Sequence, residues 1–599
     1  MTALVKLLFL AASLSPAATL LVWDGALAWP LFGDVTLLFD LAPLSAFFLL
    51  LVALGAPLAA IPMLRDDAEW PTYALYALLL VGMQVLLLAG DFIGLFVGWE
   101  IMTWSSYLLL LRSPRTTLAT AQSYILLNLL SAFALLGGIL VYYSLTGGFA
   151  IQAVADLGPW QGLALIGPLA LAFLIKVGTV PLHLWVPCSY DEAPDTFSAV
   201  LSALLSKMGI YGLILLLTLL PGGLAGGLSG GLGGLYGHLL DGPAAGYVLG
   251  WIGVITSIVA TFKAIAQEDM KRLLAYSSIA QVGYITTAIG VGSSLAIGGA
   301  LFHALVHTLI KLLLFTTIAG IVLRTGLRSF KDLGRLIYRM PISFFGVLIG
   351  IIGLAGMPPL PGFASKYLIF VSLIDARWLL LLAAMILSST AAFLYCYRLI
   401  YAPFLGHANS PQARTATEAP WQYLVPEVVL MGLLVALGLF PGLGVRLFVD
   451  PVLTALGLTP LGSPSWGELA TPYGGYDGVV VMAVFGGAFV VVTSLFFLLR
   501  GRMRQAASPY DLSYAGEVPD ETTPLHYGAG MGRELRRIPL VAWILGHSTQ
   551  GLYAGLVRQT QAAAGLLAGL YSGRPQVWIL LAVLVFAAAL TVQLLAGGI

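Results

Sequence analysis

Long apolar runs separated by short polar turns fill almost all of this chain. A transmembrane helix needs about 20 mostly apolar residues, and fifteen segments approach that length. They run over 3–22, 37–63, 74–90, 91–111, 121–145, 162–182, 196–220, 245–264, 275–295, 297–323, 341–372, 377–403, 422–445, 477–499 and 575–596. Spacing this tight leaves no room for a soluble domain. The pattern predicts an all-α polytopic membrane protein of about 15 transmembrane helices. The expected organisation is N-terminal helices over 1–90, two core halves over 91–220 and 245–403, and further helices over 404–499. A polar linker, a lateral helix and a final anchor follow over 500–599. The first run lacks a small-residue cleavage site ahead of a polar chain, so it reads as a retained helix rather than a signal peptide.

Two of the runs are interrupted by Gly and Pro. They are IKVGTVPLHLWVP (175–187) and IIGLAGMPPLPGFASK (351–366), and each carries a lysine at its break, Lys176 and Lys366. Interrupted segments at corresponding places in two halves point to inverted repeats around a midplane site. The expectation is two inverted five-helix repeats with broken helices. Proline removes an intrahelical hydrogen bond, and the freed carbonyl can hold water or a cation beside the lysine. One break alone would be an ordinary kink; two, each with a lysine, favour function. The run 543–573 interleaves Trp543, Leu552, Leu556 and Leu566 with His547, Gln550, Arg558 and Gln561. Such a mixture predicts an amphipathic helix lying along the membrane against a partner, not another span.

Charge refines this picture. Only 9% of residues are charged, 59% are hydrophobic, and the mean hydropathy is +0.96. Lys and Arg number 28 against 27 Asp and Glu, and no basic stripe marks the chain as a nucleic-acid partner. Cys188 and Cys396 are too few for an iron–sulfur cluster. The run GAGMGRE (528–534) has the wrong spacing for a dinucleotide loop. The expectation is therefore no cofactor in this chain, with any redox chemistry in other subunits. Basic residues gather in alternate loops: Arg65; Arg112 and Arg115; Lys271 and Arg272; Arg324, Arg328, Lys331, Arg335 and Arg339; Arg500, Arg502 and Arg504. The positive-inside rule places those loops in the cytoplasm of a prokaryotic cell, with a cytoplasmic N-terminus if all fifteen runs span.

Against that apolar background, Glu100, Lys176, Lys207, His303, His307 and Lys311 stand deep inside membrane segments. A charge at the bilayer centre costs roughly 3 kcal/mol or more, so such residues face protein interiors and mark ion or proton paths. His303, His307 and Lys311 recur every four residues and share one helix stripe about 12 Å long, enough for a short file of waters. Two His at this spacing can also bind zinc, but Lys311 beside them repels a cation. A proton relay is the stronger reading. Glu100 needs a cationic partner, with Lys176 and Lys207 as candidates. Its carboxylate would favour the protonated lysine, so their separation would favour proton release, whereas a static pair would only fix packing. Asp40, Asp91 and Glu427 lie nearer segment ends, where contact with the interface accounts for them. Asp191, Glu192 and Asp195 follow the first break and are expected to line a mouth or cap a helix.

Five stretches carry a resemblance: WEIMTWSSYLLL (99–110), IKVGTVPLHLWVPCSYDEAPDTFSAVLSALLSKMG (175–209), QEDMKRLLAYSSIAQVGY (267–284), LFHALVHTLIKLLLF (301–315) and GMPPLPGFASKYLIF (356–370). They resemble the antiporter-like proton-translocating subunits of respiratory complex I, membrane-bound hydrogenases, formate hydrogenlyase and Mrp-type cation/proton antiporters. The resemblance spans about 37–445. It implies that Glu100 is the coupling Glu, Lys176 the first-half lysine, Lys207 the connecting lysine, His303, His307 and Lys311 the central-helix residues, and Lys366 the exit residue. It departs from the family in having one helix fewer before 37–63 and a lysine where some relatives carry Glu at the exit. Residues 500–599 resemble the lateral and anchoring helices of the distal complex I subunit and the tail of hydrogenase-linked subunits. The resemblance implies a proton-translocating subunit of a complex I-like oxidoreductase, of hydrogenase or formate-hydrogenlyase type, with other membrane subunits and soluble redox subunits as partners. An Mrp-like sodium/proton antiporter subunit, a subunit of a proton-driven inorganic-carbon uptake complex and a non-conducting scaffold are the alternatives.

Overall fold

A computed structural model describes residues 2–23, 25–32, 35–65, 69–154, 159–219, 244–406, 410–498 and 530–546, with scattered positions between 555 and 565. Two compact units divide the chain, Met1–Val541 and Ala542–Ile599. The first contains α1 (Thr2–Ser13), α2 (Ser15–Val22), α3 (Pro43–Met63), α4 (Trp70–Leu88), α5 (Phe92–Leu111), α6 (Leu118–Thr146), α7 (Pro159–Val177) and α8 (Trp185–Glu192). It continues through α9 (Asp195–Thr218), α10 (Ala244–Ile265), α11 (Met270–Val291), α12 (Ser294–Thr325), α13 (Pro341–Ala355), α14 (Pro361–Asp375), α15 (Leu379–Ile400), α16 (Trp421–Leu439) and α17 (Gly478–Leu498). In the second unit, Ala542–Gly546 are helical. Apart from a few helical positions, the remainder of the lateral segment 543–573 lies outside the described residues, as does the anchor 575–596.

Among the described residues, eleven helices are long and apolar enough to cross a membrane, or twelve if α1 and α2, bent by 44°, form one span. The sequence predicted fifteen. The run 275–295 is α11, which carries Ser277, Ser278, Gln281, Thr286 and Thr287 and is buried at nearly every position. A helix enclosed by other helices needs no apolar exterior, so its low hydropathy follows from its place. The run 341–372 is two shorter helices, α13 and α14, not one. The remaining difference, 575–596, falls outside the described residues. Two short antiparallel hairpins also interrupt the helical pattern, Leu27–Phe32 with Val35–Phe39 and Glu468–Thr471 with Gly474–Asp477.

Both interruptions are built the same way. Gly178 and Gly356 adopt left-handed backbone angles, φ +83° and +79°, a region that glycine enters without a Cβ clash. The next N–H reaches back five residues in each case, Thr179 to Leu174 O (3.1 Å) and Met357 to Ile352 O (3.0 Å). That backward bond ends the helix while satisfying its last carbonyls. A proline follows each turn and bars the helix from resuming at once. The peptide bonds Val180–Pro181 and Pro358–Pro359 are both cis.

The core lies on α9 and α12, where 94% of each span is buried, whereas only 6% of the α17 span is. At 32 residues, α12 is about 48 Å long, longer than a bilayer core is thick. Its neighbour α11 packs tightly on α10: a Cβ on Gly283 would stand 2.5 Å from Gly253 O. Small residues permit such close approach where no water drives helices together.

The basic loops are not free. Asp195, the first residue of α9, takes both Lys271 (2.7 Å) and Arg115 (2.8 Å). Asp191 pairs with Arg328 and Arg272, and Arg328 also reaches Asp269 at 3.1 Å. Glu192 accepts from the Thr117 N–H (2.7 Å) and the Thr120 hydroxyl (2.8 Å). The short helix α8 is thus tied at its end to loops from both halves. Burial and then the nearby Arg115 charge push the Arg328 guanidinium down to about 10, leaving it cationic at neutral pH.

Candidate functional site

Lys176 occupies the last turn of α7, fully buried. Its ammonium donates to Thr103 Oγ1 (3.1 Å) and Asn128 Oδ1 (2.9 Å) and lies 5.3 Å from the centre of the Trp99 ring. All of these partners are neutral. The expected Glu100 ion pair is absent: among the described residues, none joins Glu100 to Lys176 or Lys207. Helix geometry explains the correction. Trp99 and Thr103, four residues apart, share the α5 face that meets Lys176, and Glu100 is rotated from Trp99 by about 100°. It shares its own face with Trp104, whose indole donates to it at 3.1 Å. Glu100 is half-buried beside a Trp104 that is 45% exposed. No hydrogen bond or ion pair among the described residues joins its charge to Lys176.

Lys207 lies on α9, immediately after a widened π turn at Leu201–Leu205. Such a turn unpairs a carbonyl, and Lys207 fills the gap by donating to Ser202 O at 3.0 Å. The same ammonium contacts His307 Nδ1 at 3.0 Å, a bond that joins the two halves. His307 and His303 stack on α12 with ring centres 6.2 Å apart and planes 11° from parallel. His303 is held at both nitrogens, by Ser365 (Nδ1, 2.8 Å) and Gln281 (Nε2, 3.1 Å). Three of the four ring nitrogens are therefore committed to hydrogen bonds.

Lys311 turns sideways to α11 and donates to Leu274 O (3.1 Å) and Ser277 Oγ (2.6 Å). From the adjacent Ser278 a hydroxyl contact continues to Ser202 (2.8 Å), the residue whose carbonyl holds Lys207. Lys366 follows Ser365 and bonds the last carbonyls of α13, Leu354 O (3.1 Å) and Ala355 O (2.9 Å), with its ammonium 4.9 Å from the Tyr284 ring centre. A cation at a helix C-terminus suits the negative end of its dipole. The freed carbonyls of the second break thus hold the lysine itself. At the first break the Trp185 indole takes Ile175 O at 2.8 Å instead.

The structure therefore joins Lys207 to His307, stacks His307 on His303 and holds His303 on Ser365, the neighbour of Lys366, with Lys311 joined from the side; Lys176 has its own set of neutral partners on α5 and α6. Several members escaped the sequence reading: Thr103, Asn128, Ser277, Ser278, Gln281 and Ser365, and the buried His183 in the first break. Asn128, alone within ILLNLL, was the one with a visible signal. Glu427 also differs from expectation. It is fully shielded rather than interfacial, because α16 turns it inward against Gly346 of α13 and Gly320 of α12. Asp91, also expected at the interface, is instead buried and caps α5, accepting from Gly94 N at 2.7 Å.

A family described as NADH:quinone oxidoreductase/Mrp antiporter, TM, matches residues 89–228 and 231–392, the segment that carries every residue of this file. The chain belongs to that antiporter family. The NADH-quinone oxidoreductase subunit N of Desulforudis audaxviator is 31% identical over 436 residues, covering 69% of this chain and 83% of that protein. One Na(+)/H(+) antiporter protein of Alkalihalophilus pseudofirmus is 30% identical over 420 residues, covering 64% of this chain, and the match spans about half of its own length, 49%. Among solved structures, a chain of the membrane-bound sulfane sulfur reductase, an archaeal respiratory membrane complex, superposes with a TM-score of 0.81 at 26% identity. That likeness covers 97% of this chain and 95% of the other. A chain of the Mrp complex from Dietzia sp. shares the fold at a TM-score of 0.63 and 24% identity, over 76% of this chain and 92% of that one. This family member is an antiporter-like membrane subunit of the kind found in complex I-like complexes and Mrp antiporters.

Proposed function

We propose that this subunit translocates protons along Lys176, Lys207, His307, His303 and Lys366, with Lys311 as a side station and Glu100 as the coupling charge. The observation that carries the reading is the set of four enclosed lysines bonded to neutral groups, one of them, Lys207, bonded to the first of two stacked histidines. With no carboxylate pairing these lysines among the described residues, each can exchange a proton without breaking an ion pair. Stations separated by more than one hydrogen bond, such as His303 and His307, need a water between them. The matched glycine turns at the two breaks support a pair of inverted five-helix repeats, each presenting one lysine at its break.

Glu100 lies on an outward face beside an exposed Trp104. An acid there wants cover from another protein surface, which suits communication with a neighbouring membrane protein of the same complex. The likeness to a sulfane sulfur reductase chain over 97% of the sequence favours a redox-driven respiratory complex over a free-standing sodium/proton antiporter. Redox groups would then belong to the partner subunits, and this chain would carry no cofactor. The test is proton uptake into inverted membrane vesicles containing the whole complex. Lys176→Ala is expected to abolish it, and Lys176→Arg also, because arginine does not release its proton near neutral pH. Full uptake by Lys176→Ala would overturn the reading.

A further inference from the structure

The file just described leaves one deeply buried acid without a task. Glu427 lies about two turns into α16 and is 0% exposed. Neither carboxyl oxygen has a hydrogen-bond partner of ordinary geometry, and the same holds for the buried Thr317 hydroxyl of α12. Both groups converge on Gly346 of α13. A Cβ there would lie 2.9 Å from Thr317 Oγ1 and 3.3 Å from Glu427 Oε2. On the other side a Cβ on Gly320 would lie 3.7 Å from Oε1. Two glycines of different helices thus make the space in which one carboxyl and one hydroxyl meet.

The charges around this pocket do not neutralise Glu427. No described ion pair includes it, and the charge that acts on it is the Glu418 carboxylate, of its own sign. Glu418 is itself well satisfied: it accepts from Ile342 N (2.8 Å), Ser343 Oγ (2.8 Å) and Ala419 N (3.1 Å). Arg324, the nearby cation on α12, spends its Nε on the Glu418 carbonyl at 2.8 Å. An ionised carboxylate enclosed this way, with one hydroxyl beside it and no cation, costs several kcal/mol, whereas a neutral acid can give its O–H to the Thr317 oxygen. Position adds the functional argument. Glu427 and Thr317 stand between the basic loop 324–339 and the buried lysine stations, and Thr317 is about 9 Å along α12 from Lys311. Around the helix Thr317 is about 120° from Lys311 but only about 40° from His303, so the site is set apart from the lysine–histidine file by its distance along α12.

We propose that Glu427, with Thr317, is a second proton-exchanging site of this protein, further along α12 toward the basic loop 324–339 than the main file. Protonated Glu427 gives up its carboxyl proton to a water that enters beside Thr317; the O–H bond breaks, the carboxylate forms, and a proton from the cytoplasmic side restores the acid. The proposal rests on the proton-translocation reading for its purpose, but the state of the carboxyl can be read independently.

The experiment takes the intact complex in reconstituted membranes and records its infrared difference spectrum between buffers of different pH in H2O and D2O. The unmodified protein should show the carbonyl band of a buried protonated carboxyl that shifts in D2O, and Glu427→Gln should lose that band. Proton uptake by Glu427→Gln should fall by about tenfold, with Glu427→Asp recovering part of it. Thr317→Val should keep the band but move it, since the acceptor of its O–H is gone. A spectrum unchanged by Glu427→Gln, or uptake by that variant equal to the unmodified complex, overturns the proposal. If Lys176→Ala abolishes uptake while Glu427→Gln does not, this proposal fails and the main file stands. Loss of the band in Glu427→Gln with normal uptake by Lys176→Ala would instead fault the main file.

Discussion

The lysines and histidines of the file were legible from sequence because a charge inside an apolar run has few harmless explanations. What held them was not. Thr103, Ser277 and Ser365 look like ordinary small residues of membrane helices, and only the tertiary arrangement turns their hydroxyls toward Lys176, Lys311 and His303. Glu100 and Glu427 were misjudged for one shared reason: sequence gives depth along a helix but not direction around it. The actual direction of Glu100 sharpens a test. Glu100→Gln keeps an acceptor for the Trp104 indole while removing the charge, so it separates electrostatics from packing. Proton uptake should fall severely in Glu100→Gln and only partly in Glu100→Asp. Equal and negligible effects of the two would show that the charge does not act on Lys176.

Interrupted helices were readable from their glycines and prolines, and both breaks are where the pattern put them. The division of 341–372 into α13 and α14 followed from the same residues. Low hydropathy in α11 was a poorer guide, since burial between helices rather than contact with lipid decides which residues a segment can carry. The second break makes a specific prediction. Gly356 sits at φ +79°, and a Cβ there would meet Lys366 Cδ at 2.7 Å. Gly356→Ala should cost about 1–2 kcal/mol from the left-handed backbone alone and push Lys366 off the α13 carbonyls. Proton uptake should be largely lost at normal levels of assembled complex. Gly137→Ala, in open space, should leave uptake untouched; an active Gly356→Ala would mean that the lysine's seat at the break is dispensable.

Across the whole molecule, the loops that set orientation also tie the halves together through Asp195, Lys271 and Arg115. The sequence showed basic loops; it could not show that acids from the end of the first broken helix would meet them. Lys271 is only 1% exposed, so removing its partner leaves a mostly buried cation. Asp195→Asn should therefore lower stability by about 2 kcal/mol, between the values for exposed and buried pairs, seen as a lower thermal midpoint in detergent. An unchanged midpoint would make this contact ornamental. The halves also meet in the buried core at the 3.0 Å contact of Lys207 with His307, and the account depends most on that bond. The most direct measurement is proton uptake by inverted vesicles carrying the assembled complex with Lys207→Met, a variant that fills the same space without a proton to give. The account predicts that uptake is abolished while the complex stays assembled; uptake at the unmodified rate would contradict it.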